Sequence, residues 1–532
     1  MYEKKKTIMN SIFTAGHHSR SAERARAGPE GLFTMLFNSV KFVLFFPAVI
    51  LVNYVLPKKI RHIWLLLASY YFYMSWNASY GLLMLFTTTV TYFAARLIDR
   101  ADRSGDAAEK VTKRKKRIVA AAIVLVLLLL GYYKYFNFAC DMLNWLFGVI
   151  GLGISIPQFN ILLPIGISFF TFQGMGYVID VYRKKVEAEK DFLHYALFVS
   201  FFPQLVAGPI ERSGNLLRQL KSPRKLTFEM AREGLLLILW GYFLKIVMAD
   251  RIAVFVDTVF GSYTQYSGWY LVVANLLVAM QVYCDFYGYS VLAMGTAKFM
   301  GVDLMENFNA PYFSQSIGEF WTRWHISFCT WLRDYVYFPL GGSRKGKPRK
   351  YLNIMIVFFV SGLWHGATSA YVAWGLIFGL YQVIGAVTRP FRDRALTRLR
   401  LHKVSLGYKI GAICVTFILQ DLLCVFIRAG TIENAISIFR NMFDLSNPWV
   451  LVDGSLYNCG LNQQNFSLML ICILILFLAD LCKYRGIQIR QVILRQDYLF
   501  RWIVIVAAVV AILVFGMWGP DFNEQNFVYF QF

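Results

Sequence analysis

An all-α, polytopic integral membrane protein is the fold that this sequence predicts, with roughly 11–13 membrane-entering helices. Hydrophobic residues occupy 57% of the 532 positions and charged residues only 16%, whereas soluble domains carry about 25% charged residues. Apolar runs close to the ~20 residues that a spanning helix requires recur through most of the chain. These two observations exclude a soluble globular protein.

The candidate spans follow one another with polar breaks between them. They lie at 37–56, twice within 62–97, and at 118–135, 142–156, 160–180, 234–257, 268–300, 351–388, 406–427, 466–482 and 500–518. The apolar segment 192–210 contains Pro203 and Pro209, and proline interrupts the hydrogen bonds of a helix. Because irregular backbone at membrane depth must be packed in protein or line a cavity, we predict a re-entrant or broken helix there.

The positive charge of the chain indicates membrane topology and excludes most nucleic-acid functions. Lys and Arg number 54 against 31 Asp and Glu, a formal net charge of +23. The cations cluster between apolar runs, as the positive-inside rule and attraction to anionic lipid require. The block Lys113–Arg117 is the strongest cytoplasmic marker, and we expect a lipid partner and no nucleic-acid partner.

The termini and the cysteines add little chemistry. Residues 1–34 form a basic tail without the apolar core of a signal peptide, so we expect either a disordered tail or a true start at Met35. Residues 35–532 then make a single transmembrane domain. The eight cysteines form no close CxxC pair, so a disulfide framework or a metal site is not predicted.

Two histidines stand in apolar, aromatic-rich sequence and are the leading candidates for chemistry. His365 lies within the apolar run 351–388, which two cationic segments flank, so the chain is expected to cross and return with His365 deep in the bilayer. His325 lies within 314–340, where Ser316 and Glu319 suggest a capping box that opens an interfacial helix. An ionisable residue at membrane depth is a functional hypothesis by default, and imidazole suits proton transfer near neutral pH.

Asp285 is a carboxyl group within an apolar run. It could orient a histidine, bind a hydroxyl or pair with a structural arginine, and the sequence does not separate these roles. Gln204 is a similar polar candidate of lower weight.

Several ordered motifs make the chain resemble the membrane-bound O-acyltransferase family, in its bacterial branch of alginate O-acetyltransferases and D-alanyl transfer proteins. The main matching strings are Met35-Leu36-Phe37-Asn38-Ser39, Phe202-Pro203-Gln204-Leu205-Val206-Ala207-Gly208-Pro209-Ile210-Glu211-Arg212, Tyr283-Cys284-Asp285-Phe286, Glu306-Asn307-Phe308, Phe320-Trp321-Thr322-Arg323-Trp324-His325-Ile326-Ser327, Ser361-Gly362-Leu363-Trp364-His365-Gly366 and Phe527-Val528-Tyr529-Phe530-Gln531-Phe532. The resemblance covers residues from about 35 to the C-terminus.

This resemblance implies helices around a central tunnel and an acyl transfer to a hydroxyl group. It maps the family histidine to His365, as general base, and the second histidine to His325. The substrate-positioning candidates are Asp285, Arg323, Trp324, Trp364 and Gln204. We expect no bound cofactor and no metal; the donor is an acyl thioester, either acetyl-CoA or an acyl carrier protein.

The resemblance also implies a bacterial inner-membrane enzyme that takes its donor from the cytoplasmic side. The acceptor is a secreted or cell-surface polysaccharide, and the partner is an extracytoplasmic acetyltransferase-like or esterase-like protein. D-alanyl transfer to teichoic acid from a carrier protein is the alternative within the family. A proton-coupled transporter or flippase that uses His365 and Asp285 as a relay is the alternative from another class.

Overall fold

The computed structural model describes residues 35–206, 208–400 and 402–518. Within these ranges the chain is helical and contains no β-strand. Twenty-two α-helices follow in chain order: α1 Val40–Val55, α2 Arg61–Met74, α3 Ala78–Asp102, α4 Ala108–Leu130, α5 Phe136–Val149, α6 Ile167–Tyr182, α7 Phe192–Ser200, α8 Phe202–Leu205, α9 Leu216–Lys221, α10 Phe228–Tyr242, α11 Asp250–Gly261, α12 Trp269–Lys298, α13 Ile317–Arg323, α14 Ile326–Leu332, α15 Gly346–His365, α16 Ser369–Arg398, α17 Leu406–Leu422, α18 Cys424–Ala429, α19 Ile432–Met442, α20 Gln463–Tyr484, α21 Ile489–Leu494 and α22 Tyr498–Phe515.

Seven helical units in the described ranges are long and apolar enough to cross a membrane. They are α3, the continuous unit Ala108–Val149, α12, α16, the unit Leu406–Ala429, α20 and α22. The predicted all-α, polytopic membrane class is therefore confirmed. The count of roughly 11–13 membrane-entering helices includes shorter helices such as α1 and stays a prediction, as does the central tunnel.

One pair of predicted spans is wrong. The segments 118–135 and 142–156 are not separate, because α4 continues into α5 through a π-helical turn at Gly131–Tyr135. The intervening residues contain polar side chains but no proline, so nothing in them removes a backbone donor and ends the helix. The result is a helix of 42 residues with Lys134 inside it.

The broken helix predicted for 192–210 is present. Helix α7 ends at Ser200, and the short α8 begins at Phe202 with Pro203 in its first turn. Proline is tolerated there because the first amides of a helix have no intrahelical acceptor. The described part of this segment is almost entirely buried, which agrees with irregular backbone being packed in protein.

The motif at Met35–Ser39 anchors the start of the described chain. Ser39 caps α1 by accepting a hydrogen bond from the amide of Phe42, and the Asn38 side chain accepts one from the Tyr289 hydroxyl of α12. The predicted basic tail, residues 1–34, and the matching string at 527–532 lie outside the described residues. A single domain over 35–532 stays a prediction.

Candidate active site

Helices α15 and α16 form a hairpin, and His365 is the last residue of its first arm. The 20 residues of α15 span about 30 Å, and the chain turns back into α16 directly after His365. The membrane crossing and the depth of His365 in the bilayer stay predictions. Gly362 and Gly375 bring the two arms together, because a Cβ on Gly362 would lie 2.4 Å from the Tyr371 carbonyl oxygen. Small residues permit this close approach of two backbones.

Two residues of the π-helical turn cap the carbonyl end of α15. The Lys134 Nζ donates to the carbonyl of Trp364 at 2.5 Å and lies 3.5 Å from that of His365. The Tyr135 hydroxyl donates to the carbonyl of Leu363 at 2.9 Å. The last carbonyls of a helix lack intrahelical donors, and a cation there is favoured by the helix dipole. These contacts hold His365 in place through its own backbone.

A small cavity opens beside His365. It encloses about 40 Å³, which is room for about three water molecules. Its walls come from α15, from Lys134, from the start of α6 with the residues before it, and from the residue after α8: Lys134, Leu163, Pro164, Ile165, Gly166, Ile167, Ser168, Phe169, Val206, Trp364 and His365. The predicted residue Trp364 thus lies in the wall next to the predicted base.

His325 sits at a break between two helices, not on a helix face. The single helix predicted over 314–340 is wrong, because α13 ends at Arg323 and α14 begins at Ile326. His325 itself has φ +44° and ψ 52°, in the left-handed region. Asn307 holds the break open: its carbonyl accepts from the amide of Ile326, and its side chain accepts from the amide of Ser327.

The predicted cap of α13 is present in part. The Ser316 hydroxyl accepts from the amide of Glu319, as predicted. The Glu319 carboxylate, however, accepts from the amide of Gln315, one residue earlier than a capping box requires.

The two histidines are brought together in the fold. Their ring centroids lie 6.5 Å apart, about two hydrogen-bond lengths, and both side chains are buried. Phe328 packs against both rings, with its centroid 4.9 Å from His325 and 5.5 Å from His365. On its other flanks His365 contacts Trp364 and Trp374, each at 5.0 Å.

Asp285 takes part in a buried charge cluster. Lys245, on the π-helical turn Phe243–Ala249 between α10 and α11, forms ion pairs of 2.8 Å with both Asp250 and Asp285. The structural ion pair considered for Asp285 therefore exists, but its partner is a lysine and not an arginine. The next residue, Phe286, packs edge-on against the His325 ring at 4.7 Å, so the cluster adjoins the histidines through α12.

Arg323 and Trp324 pack at the end of α13. The Arg323 guanidinium pairs with Glu319 at 2.9 Å and donates to the carbonyl of Asn309. Trp324 lies among aromatic rings, including Phe308 at 5.0 Å. Both side chains therefore hold the segment that ends at His325.

Gln204 belongs to a buried amide network. Its Nε2 donates to the Gln173 side chain at 3.0 Å and to the carbonyl of Phe198 at 3.2 Å. Gln204 lies two residues before Val206, which lines the His365 cavity. The contacts of Asp285, Arg323, Trp324 and Gln204 are with protein groups, and their roles toward a substrate stay predictions.

Sequence reasoning missed Lys134, Tyr135 and Asn307 as site residues. Lys134 carried a signal, since it is a cation inside an apolar run, but its contact with α15 spans 230 positions. Asn307 belongs to the family motif Glu306-Asn307-Phe308, but nothing in the sequence indicated its role. Tyr135 gave no signal, because tyrosine is common near membrane interfaces.

Comparison with known proteins relates this site to a family. The membrane-bound O-acyltransferase family, MBOAT, matches residues 185–427, a range that contains both histidines. The chain is 36% identical to the probable alginate O-acetylase AlgI of Pseudomonas aeruginosa over 436 residues, which are 81% of this chain and 78% of that protein. The chain belongs to the membrane-bound O-acyltransferase family.

Other relatives carry different acceptors in their names. The peptidoglycan O-acetyltransferase of Helicobacter pylori is 31% identical, over 78% of this chain and 81% of that protein. The teichoic acid D-alanyltransferase of Bacillus subtilis is 29% identical, over 49% of this chain and 67% of that protein. This MBOAT protein is accordingly a multi-pass membrane O-acyltransferase, and an acyl donor is implied.

Proposed function

We propose that this enzyme moves an acetyl group from a cytoplasmic thioester to hydroxyl groups of a secreted or cell-surface polysaccharide, with His365 as the general base. The observation that carries the proposal is the placement of His365: it closes the α15–α16 hairpin, lines a cavity and lies 6.5 Å from the His325 ring. Imidazole at such a position can exchange a proton with an acceptor hydroxyl.

The chemistry needs little beyond orientation, because a thioester is already activated. His365 takes the proton as the acceptor oxygen attacks the thioester carbonyl carbon. The carbon–oxygen bond forms, the carbon–sulfur bond breaks, and the departing thiolate receives the proton back from His365. Holding both reactants in a dry site supplies most of the acceleration. His325 orients the acceptor or the carbonyl oxygen from the opposite side.

The names of the relatives support acetyl as the acyl group and a polysaccharide as the acceptor. The proteins from Pseudomonas aeruginosa and Helicobacter pylori are named as O-acetylating enzymes and match about four fifths of this chain. The D-alanyltransferase matches half of it at lower identity. We further propose that the protein works in a bacterial inner membrane, with acetyl-CoA or an acyl carrier protein as donor and an extracytoplasmic acetyltransferase-like or esterase-like protein as partner.

The test is thioester consumption by the purified full chain. Wild type, His365→Ala and the control His402→Ala, an exposed histidine, are given acetyl-CoA with and without an acidic exopolysaccharide, and free thiol is measured. General-base loss typically costs about 10²–10⁴-fold in rate. We expect that loss in His365→Ala and wild-type turnover in His402→Ala, with matching melting temperatures.

The alternatives predict different results. Turnover only with an alanyl-charged carrier protein would replace acetyl transfer by D-alanyl transfer. Equal turnover in wild type and His365→Ala would remove His365 from the chemistry and direct attention to His325. Proton-coupled solute uptake into vesicles without thiol release would indicate a transporter.

A further inference from the structure

A second cavity lies where α1 ends and α2 begins, against α7 and α9. Four permanent cations and two imidazoles line it, and no carboxylate does; these residues are Lys58, Arg61, His62, His194, Lys221 and Arg224. It shares no lining residue with the His365 cavity. The clustered cations put it at the helix ends that the positive-inside rule assigns to the cytoplasmic face.

Two of the four cations are neutralised by carboxylates behind the cavity wall. Lys221 pairs with Glu189 at 2.9 Å, and Arg224 pairs with Asp303 at 2.7 Å. Burial opposes ionisation of Asp303, but the ammonium of Lys298 and the guanidinium of Arg224 outweigh it and lower its pKa. Asp303 is therefore charged at neutral pH and offsets Arg224.

The other two cations have no carboxylate partner within the described ranges. Lys58 is exposed and forms no ion pair there. The Arg61 guanidinium donates to the backbone carbonyls of Leu56 and Tyr54, and it likewise forms no ion pair in that part of the chain. Beside them Asn53 is 4% exposed and lines the cavity, and its amide oxygen has no hydrogen-bond partner in the structure. This oxygen only accepts hydrogen bonds, so the guest that it fits must offer a donor, such as the hydroxyl of a monoprotonated phosphate or of a head group.

The cavity is built for an anion and not for a metal ion. His62, Asp191 and His194 have ligand atoms within 4.8 Å of one another, but the two imidazoles stack at 4.0 Å with planes 14° apart. A ligated metal ion lies near the plane of each imidazole, and two rings stacked face to face at 4.0 Å have no common in-plane position for one ion. The surrounding cations would also repel it.

We propose that this cavity binds a phosphate group. Phosphate matches the cation pair Lys58 and Arg61, and guanidinium and ammonium groups are its usual protein ligands. Basic pockets between transmembrane helices at the cytoplasmic face bind phospholipid head groups. The phosphate comes either from an anionic phospholipid of that leaflet or from a soluble phosphate ester.

The experiment uses the delipidated full chain in neutral detergent and two probes. Phosphatidylglycerol and phosphatidylcholine are added back, and native mass spectrometry compares how much of each lipid the protein retains. A thermal-shift assay measures the binding of inorganic pyrophosphate. The variants are Lys58→Gln and Asn53→Asp, which places a carboxylate against the phosphate. Lys59→Gln is the matched control, because Lys59 is the neighbouring exposed lysine and does not line the cavity.

We expect Lys58→Gln to lose about fivefold in affinity for the phosphate probe, Asn53→Asp to lose more, and Lys59→Gln to match wild type. Selective retention of phosphatidylglycerol identifies a lipid as the source. Stabilisation by pyrophosphate without lipid selectivity identifies a soluble ester. Equal losses in Lys58→Gln and Lys59→Gln, or no binding of either probe, would overturn the proposal. The outcome is independent of thioester turnover.

Discussion

At the residue scale, His325 matters in two independent ways: its imidazole is a candidate for chemistry, and its backbone adopts a conformation that few residue types tolerate. Its φ of +44° lies in a region that costs most residues ~1–2 kcal/mol, while asparagine tolerates it and β-branched residues do not. Conformational cost at such a position is a recurring feature of functional sites. Substitutions that differ in their tolerance of this conformation can therefore separate the effect of losing the imidazole from the effect of backbone strain.

We expect His325→Val to lower the melting temperature further than His325→Asn, because both variants lose the packing of the ring against Phe286 and Phe328 and only valine adds the backbone cost. Both variants lose the imidazole, so both should transfer acetyl more slowly, by ~10-fold or more for a group that assists proton transfer. Melting temperature in detergent and the separate values of kcat and KM are the measurements. A positioning role toward the acceptor predicts a higher KM for the polysaccharide. Equal destabilisation by Asn and Val would show that the backbone conformation is not limiting.

At the element scale, the α15–α16 hairpin positions His365 through a backbone contact between its arms. A Cβ on Gly375 would lie 2.4 Å from the Phe358 carbonyl oxygen, whereas nothing lies within 4 Å of a Cβ on Gly385, in the same helix. We expect Gly375→Ala to cost ~1–3 kcal/mol in stability by overpacking and to reduce transfer by displacing His365. The matched variant Gly385→Ala should be neutral or slightly stabilising, because alanine favours helix.

Thermal stability by size-exclusion chromatography and thiol release per folded enzyme test this pair. If Gly385→Ala loses as much stability and thiol release as Gly375→Ala, then general helix effects, and not the contact between the two arms, explain the result.

The elements differ in how far sequence alone could predict them. Uninterrupted apolar runs were sufficient for α20 and α22: the bounds Gln463–Tyr484 and Tyr498–Phe515 differ from the predicted 466–482 and 500–518 by two or three residues at each end. The break at His325 was missed because the aromatic pattern continues across it, and the hydrogen bonds that create it come from Asn307. Local periodicity carries no information about such a partner.

The candidate site likewise has features that the sequence predicts and features that only the fold reveals. An imidazole within an apolar run can be recognised from the sequence alone, so His325 and His365 were predicted as candidate residues. Their separation, and the capping of α15 by Lys134 and Tyr135, depend on contacts between distant segments. Asp285 shows the intermediate case: an ion pair was one of three roles that the sequence left open, and its actual partner, Lys245, was not among the partners considered.

At the scale of the whole molecule, the Lys245 cluster connects parts of the chain that are far apart in sequence. Lys245 lies between α10 and α11, is 1% exposed and pairs with Asp250 and with Asp285 of α12. It also lies over the ring of Tyr289 at 5.7 Å, and the Tyr289 hydroxyl donates to Asn38 at the start of the described chain. The N-terminal segment, the α10–α11 junction and α12 thus meet around one buried cation.

Replacing that cation should affect folding more strongly than any single change at its partners. Lys245→Met leaves two buried carboxylates without their counter-charge, and breaking a buried pair in this way costs ~3–5 kcal/mol. Asp285→Asn keeps the Lys245–Asp250 pair and should cost less. The triple variant Lys245→Met/Asp250→Asn/Asp285→Asn buries no charge at these three positions, so its melting temperature should exceed that of Lys245→Met alone. A triple variant less stable than Lys245→Met would show that the geometry of the ion pairs, and not the cost of uncompensated charge, stabilises this junction.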